Sequence, residues 1–331
     1  MTNLVPAPET LIAYSHVLEG PDAGRPLETG EVATLLREDT LAWVHLSAHH
    51  PEAPQWIIEN LSYLDPTIVD ALVAEETRPR VTRVGDGLIV ILRGINTNDG
   101  EDPEDMVSVR LWIDPHRIIS LSRRKVRAIK DIAEDLTMGQ GPVDAAAFLV
   151  RLTERLNYRI EDFWNGLEEI ADTLEEQVLS DQPPDDLRAR LVDLRRQAII
   201  LRRYMQPQRD AMRMLQAAHP GWLEDEDLRA LAEELDALER VVEDADAMRD
   251  RMALVRDELT GQLSDRLNRN MYLLSILSAL FLPLGFLTGL FGINVAGLPG
   301  SGTPGAFWVF SGGLLAVLFV QLLVLRKLRW I

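Results

Sequence analysis

Cysteine is absent from the chain. That excludes disulfides and thiolate metal sites. Histidine is scarce: the six histidines all precede residue 220. The longest absence is of charge. From Asn270 to Leu325 there is no Asp, Glu, Lys, Arg or His, far more than the ~20 residues that cross a bilayer. This run divides into two apolar stretches, Leu273–Phe291 and Ala306–Leu325, around a Gly- and Pro-rich segment, Gly292–Gly305, a loop by composition. Basic charge is also short, with 34 Lys and Arg against 52 Asp and Glu and a formal net charge of −18. Nucleic acid is therefore not expected as a partner, because an extended nucleic-acid-binding surface carries net positive charge. An acidic body concentrates cations instead. The first residues have neither a basic start nor an apolar core, so no secretory signal is expected. No nucleophile–base pairing, phosphate-binding Gly loop or Cys/His metal motif is present, and no enzyme is expected.

What is present reads as a membrane protein with a large water-soluble body. Arg266 and Arg269 precede the first span, and the tail Arg326-Lys-Leu-Arg-Trp-Ile331 is basic. Both flanks place the N- and C-termini in the cytoplasm and the uncharged loop outside. Residues 1–140 read as an α+β cytoplasmic domain. Leu41–Leu46 alternates and is rich in strand formers. Pro51 to about Leu64 has helical spacing. Asp65 caps a second helix with Pro66 at its first position. Strands are expected at Arg80–Val84, Leu88–Ile95, Met106–Ile113 and Arg117–Ser122, and their short spacers predict antiparallel neighbours. A short helix is expected from Lys125 to about Met138.

Residues 141–219 form an antiparallel helical hairpin, Val143–Leu179 and about Leu187–Ala218, the second rich in arginine. Residues 220–270 read as a long stalk helix continuing into the membrane. Its apolar positions, among them Leu228, Leu231, Leu235, Leu238, Val242 and Met252, recur at three and four residues. No proline interrupts it between Pro220 and Pro283. About 70 residues at 1.5 Å each give a rod on the order of 100 Å long. A monomer is expected to have nowhere to pack such a rod, so copies around a common axis are predicted. The first span is 271–292, the loop 293–305, the second span 306–325 and the tail 326–331. Pro283 sits mid-span and frees a backbone carbonyl near Ala279. Gly285, Gly289 and Gly292 permit close helix contact.

The segment Phe281–Val295, followed by a short loop, a second span and a basic end, resembles the CorA superfamily of divalent-cation transporters. That family carries an aromatic-Gly-Met-Asn signature at the end of its first span; this chain has Phe291-Gly292-Ile293-Asn294. The Gly-Ile-Asn form, the Gly-Leu-Pro-Gly loop and Trp43-Val-His-Leu46 are closest to its ZntB zinc-transporter branch. The resemblance implies a CorA-like funnel and a homopentamer, with five first spans lining a pore and Gly292, Ile293 and Asn294 forming its selectivity mouth. Matching by offset from Asn294 gives Asp257, Asn268, Met271, Leu274, Leu282 and Gly285 as pore-lining positions, and Ser278 shares their helical face.

A divalent ion cannot enter a span naked: the Born cost is ~20 kcal/mol even for one charge. Zinc takes Cys, His or carboxylate ligands, and the spans have none. The ion is therefore expected to cross hydrated, with Asn294 amide oxygens accepting hydrogen bonds from its waters. Asn294 also reads as a helix C-cap. Met271, Leu274 and Leu282 would form apolar rings able to gate by dewetting. The acidic stalk either faces the lumen, attracting cations, or pairs with the arginines of the hairpin. His45, His49 and His50 are the one histidine cluster and a candidate zinc sensor; a strand end and loop surface is the plainer reading.

The function expected is Zn2+ uptake across the bacterial inner membrane. Alternatives for the transported ion are Mg2+, Co2+, Ni2+ and Cd2+. No cofactor is expected, and the partners are self-copies, lipid and divalent cations. Proton coupling is open, since the spans hold no carboxylate or histidine relay. A Mg2+/Co2+ channel is the alternative within this class, and a membrane-tethered scaffold is the alternative outside it.

Overall fold

A computed structural model describes residues 10–38, 40–74, 78–180, 183–292 and 302–328. Contacts divide the chain into two compact units, Met1–Val255 and Arg256–Ile331.

In the first unit six strands form one sheet. They are β1 (Ile12–Val17), β2 (Ala42–Ser47), β3 (Arg80–Val84), β4 (Gly87–Gly94), β5 (Val107–Asp114) and β6 (Arg117–Ser122). Their order is β1-β2-β6-β5-β4-β3. The run β3 to β6 is antiparallel throughout, as the short spacers predict. β2 pairs with β6 in parallel, which no local signal announces: the two strands lie far apart in sequence.

Strand alternation sorts the side chains onto two faces. Val44 and Leu46 of β2, Ile89 and Ile91 of β4, Trp112 of β5, and Ile119 and Leu121 of β6 share one core. The helices α1 (Thr29–Leu35), α2 (Ala53–Asn60) and α3 (Pro66–Val73) close it with Val32, Ile57, Ile68 and Leu72. Each fully buried Leu or Ile there contributes roughly 1.5–3 kcal/mol. Trp43 turns the other way, and its ring centroid lies 5.1 Å from that of Phe148. Phe148 belongs to α5 (Ala145–Val178), which follows α4 (Arg127–Thr137). α3 starts as predicted, with the Asp65 carboxylate accepting from the Thr67 amide at 2.8 Å ahead of Pro66.

β1 and α1 were not predicted from sequence, for a physical reason. β1 buries polar groups: Ser15 Oγ donates to the Leu27 carbonyl at 3.1 Å, and His16 stacks on Trp43 at 5.8 Å. α1 is capped by Glu28 and Glu31 rather than by Ser, Thr, Asp or Asn.

α5 and α6 (Leu187–Ala218) form the expected hairpin, followed by α7 (Asp225–Gly292). The expectation that a single chain has no place to pack α7 is overturned for its first half. Leu231, Leu235, Leu238, Val242, Ala245 and Met252 are all buried within the first unit. Asn157 of α5 donates from Nδ2 to the Glu234 carbonyl and carboxylate, both at 2.9 Å. Burial raises the pKa of Glu234. Arg202 of α6 pairs with Asp246 at 2.6 Å, and Arg213 with Glu239. Arg251 of α7 reaches Asp172 of α5 at 2.7 Å. For these acids the hairpin pairing, of the two readings of the acidic stalk, is the one the first unit displays.

The second unit holds the remainder of α7 and α8 (Ala306–Lys327). Arg326 and Lys327 occupy the last turn of α8, where cations complement the helix dipole.

Candidate ion pathway

α7 and α8 are the two helices, among the described residues, long and apolar enough to cross a membrane. Within the second unit each has a packed face and an open face. Over residues 271–292 of α7 the half-buried positions are Ile276, Leu280, Pro283, Leu284 and Leu287. On α8 they are Ala306, Phe310, Ser311, Leu314, Val317, Leu318 and Gln321, with Leu325 buried. Both sets recur at three and four residues, so each is one stripe of a helix. At the end of α7, Phe291 meets Phe310 with ring centroids 5.0 Å apart.

The positions expected to line a pore lie elsewhere. Met271, Leu274, Ser278, Leu282 and Gly285 are all exposed. Leu282 is 74% exposed and Met271 64%. At about 100° of rotation per residue, this stripe is roughly 180° from the stripe that packs on α8. Asn268 and Asp257 are also exposed. The Asp257 carboxylate accepts from Arg256 at 2.8 Å. Gly292 is the last residue of α7. Ile293 and Asn294, the rest of the expected mouth, lie outside the described residues.

Two hydroxyls in the span bond to their own helix backbone, as a lipid environment demands. Ser275 Oγ donates to the Met271 carbonyl at 2.8 Å, and Thr288 Oγ to the Leu284 carbonyl at 3.0 Å. One amide does more. Gln321 Nε2 donates to the Ala279 carbonyl at 3.4 Å. Pro283 predicts the freed carbonyl near Ala279, whereas Gln321 is not among the residues that the sequence singles out. The available signal was an amide among apolar residues, placed in the second span.

The histidine cluster needs correction. His45 is buried inside the sheet, with Nδ1 2.8 Å from Ser120 Oγ and Nε2 3.1 Å from Ser122 Oγ. Burial pushes its pKa down to about 3. Both nitrogens have hydroxyl partners, so neither nitrogen is open to a metal. His50 Nδ1 accepts from the Glu52 amide at 3.3 Å. The cause is that β2 is an interior strand buried on both faces: His45 lies within it, on the face of Trp43, whereas His49 and His50 follow it. Among the described residues no group of three or more His, Cys, Asp or Glu could hold a metal ion.

Known proteins resemble this chain along most of its length. The family described as CorA-like Mg2+ transporter protein matches residues 38–327. The divalent cation transporter CmaX of Pseudomonas aeruginosa is 36% identical over 323 residues, covering 97% of each chain. The zinc transport protein ZntB of Pectobacterium carotovorum is 37% identical over 319 residues, covering 96% of this chain and 95% of its own. The structure of full-length CmaX superposes with a TM-score of 0.82 at 36% identity, covering 96% of this chain and 98% of that one.

Proposed function

This chain belongs to the CorA-like Mg2+ transporter family, and from that premise we propose that it carries divalent cations across the bacterial inner membrane as a homopentamer. The observation that carries this reading is the open stripe of α7. Met271, Leu274, Ser278, Leu282 and Gly285 are uncharged, exposed and turned away from α8. Two helices cannot enclose an aqueous path, so a pore needs several copies around an axis. In that arrangement α8 faces lipid and the open stripe faces the axis. Asn268 and Asp257 continue toward the cytoplasm, and both termini are cytoplasmic, as the basic flanks require. Met271, Leu274 and Leu282 form apolar rings that gate by dewetting. Asn294, following Gly292 and Ile293, holds the hydrated ion by its waters at the outer mouth.

The ion proposed is Zn2+, supported by the likeness to zinc transport proteins over 96% of this chain. Mg2+ or Co2+ is the second reading. The family description names Mg2+, and Mg2+ gives up its waters reluctantly, which suits spans that hold no carboxylate, histidine or cysteine.

Flux into proteoliposomes tests this. Purified protein is compared for Zn2+, Mg2+ and Co2+ with and without a pH gradient, beside Asn294→Ala. The expected result is Zn2+ uptake that Asn294→Ala abolishes while sizing in mild detergent still gives five copies. Uptake raised by an inward proton drive would add proton coupling. Mg2+ uptake indifferent to pH would favour the second reading, and no flux of any ion would leave the spans as anchors.

A further inference from the structure

One end of the sheet is basic in an otherwise acidic chain. The face beneath α1–α3 is apolar along Ile89, Ile91, Ile119 and Leu121, and then changes character. Arg80 pairs with Ile91, which pairs with Arg110 on the next strand. Arg93 pairs with Ser108 one step further along β4 and β5. Cross-strand partners share a face. With Arg78, Arg123 and Arg124 from the adjoining chain, these residues line a cleft of about 870 Å3. Asp105 is the one carboxylate among its described lining residues.

Two arginines of the cleft are engaged by the protein. Arg124 pairs with Glu101 at 3.0 Å, and the Arg93 guanidinium sits 4.6 Å from the centre of the Tyr204 ring. Arg78, Arg80 and Arg123 make no hydrogen bond or ion pair with any described residue. Arg110 is the most telling. Its side chain is 1% exposed, Nη2 donates to the Ala74 carbonyl at 2.8 Å, and Nε and Nη1 have no partner among the described residues. A buried guanidinium left with open donors is costly. Burial, then Arg123 and Arg93, lowers its pKa to about 10, so it remains charged at neutral pH.

We propose that this cleft binds an oligophosphate: pyrophosphate or the phosphate chain of a nucleotide. Its size falls within the range of small-ligand sites, roughly 300–1,000 Å3, and far exceeds a halide. Guanidinium forks match phosphate oxygens in bidentate pairs. Among the described lining residues, four guanidiniums without a carboxylate partner face one carboxylate, which matches an anion of about three or four negative charges. The site lies within the soluble unit, so binding is read without reference to metal transport.

The test is calorimetric titration of the full-length protein in detergent, with a chelator present, using pyrophosphate and ATP. Saturable binding is expected for both, with sulfate and chloride at equal ionic strength failing to compete. Tighter ATP binding would identify a nucleotide as the source; equal binding would identify the phosphate chain alone. Arg78→Gln with Arg80→Gln, both exposed positions, should weaken binding at least tenfold, since hydrogen bonds to charged groups contribute about 1.5–3 kcal/mol. Arg110→Gln should do the same if it folds. No binding of either ligand, or equal affinity in the double variant, overturns the proposal. So does a double variant that changes oligomer size while the parent binds no phosphate: the cleft would then receive carboxylates of a second copy.

Discussion

Gln321 Nε2 donates to the carbonyl oxygen of Ala279, the residue four before Pro283. Proline has no N–H, so Ala279 is the position in α7 that loses its helical donor. α8 therefore supplies from a side chain what α7 lacks in its backbone. In a lipid environment an unsatisfied carbonyl is expensive, and this contact offsets the cost.

That relationship predicts coupling between Pro283 and Gln321. Gln321→Leu should destabilise the protein by roughly 0.6 kcal/mol, and at most ~1.7 kcal/mol, the range for hydrogen bonds between membrane helices. In a Pro283→Ala background the helical N–H returns, and the same substitution should cost much less. Unfolding of the four variants in mixed micelles reads the difference. Strict additivity would show that Gln321 does not serve the Ala279 carbonyl.

A second amide performs a similar task in the first unit. Gln208 of α6 is buried, its Oε1 accepts from the Arg93 amide at 2.6 Å and its Nε2 donates to the Arg93 carbonyl at 2.9 Å. β3 begins at Arg80, opposite Ile91, so the backbone of Arg93 has no strand partner on that side. Gln208→Leu keeps the volume and removes both bonds. It should lower stability by about 1–3 kcal/mol, the cost of leaving buried backbone groups unsatisfied. A thermal melt of the full chain checks this, and an unchanged midpoint would mean that water replaces the amide.

Local signals were enough where one element explains itself. The Asp65–Pro66 start of α3, the strands β3 and β6, and α6 all fall where cap residues, alternation or helical spacing place them. The parallel β2–β6 pair was not legible, because distant strands choose each other by the layers that cover them. Packing of α7 on the hairpin was equally hidden: Leu231 or Val242 shows a stripe, not its partner. His45 illustrates the limit for sites. Residue type and clustering point to a metal, but β2 is an interior strand covered on both faces, which buries it. The stripe Met271–Gly285 was legible as one face of a helix, and its placement opposite α8 needed the fold.

His45 gives the first unit a pH dependence. Its folded pKa, pushed down by burial to about 3, lies below the ordinary value of 6.5. The unfolded state therefore binds the extra proton first. His45 contributes its full stabilisation above about pH 6.5 and loses it as pH falls toward 3, at up to about 1.4 kcal/mol per pH unit. His45→Asn should flatten this slope between pH 6 and pH 4 in thermal melts at fixed ionic strength. A parent and variant with parallel pH profiles would assign the acid sensitivity to other groups.

The two faces of α7 should respond differently to the same chemical change. Leu287 is half-buried on the stripe toward α8, whereas Leu282 lies on the open stripe. Leu287→Asn places an amide between packed helices and should lower stability by about 1–2 kcal/mol. Leu282→Asn removes no intrachain packing, so its effect should stay within about 0.5 kcal/mol. If five copies place Leu282 on the axis, the substitution wets an apolar ring and raises ion flux in proteoliposomes. Leu287→Asn should not raise flux per folded pentamer. Equal losses of stability with no gain of flux would put Leu282 against protein or lipid and remove the open stripe from the ion path.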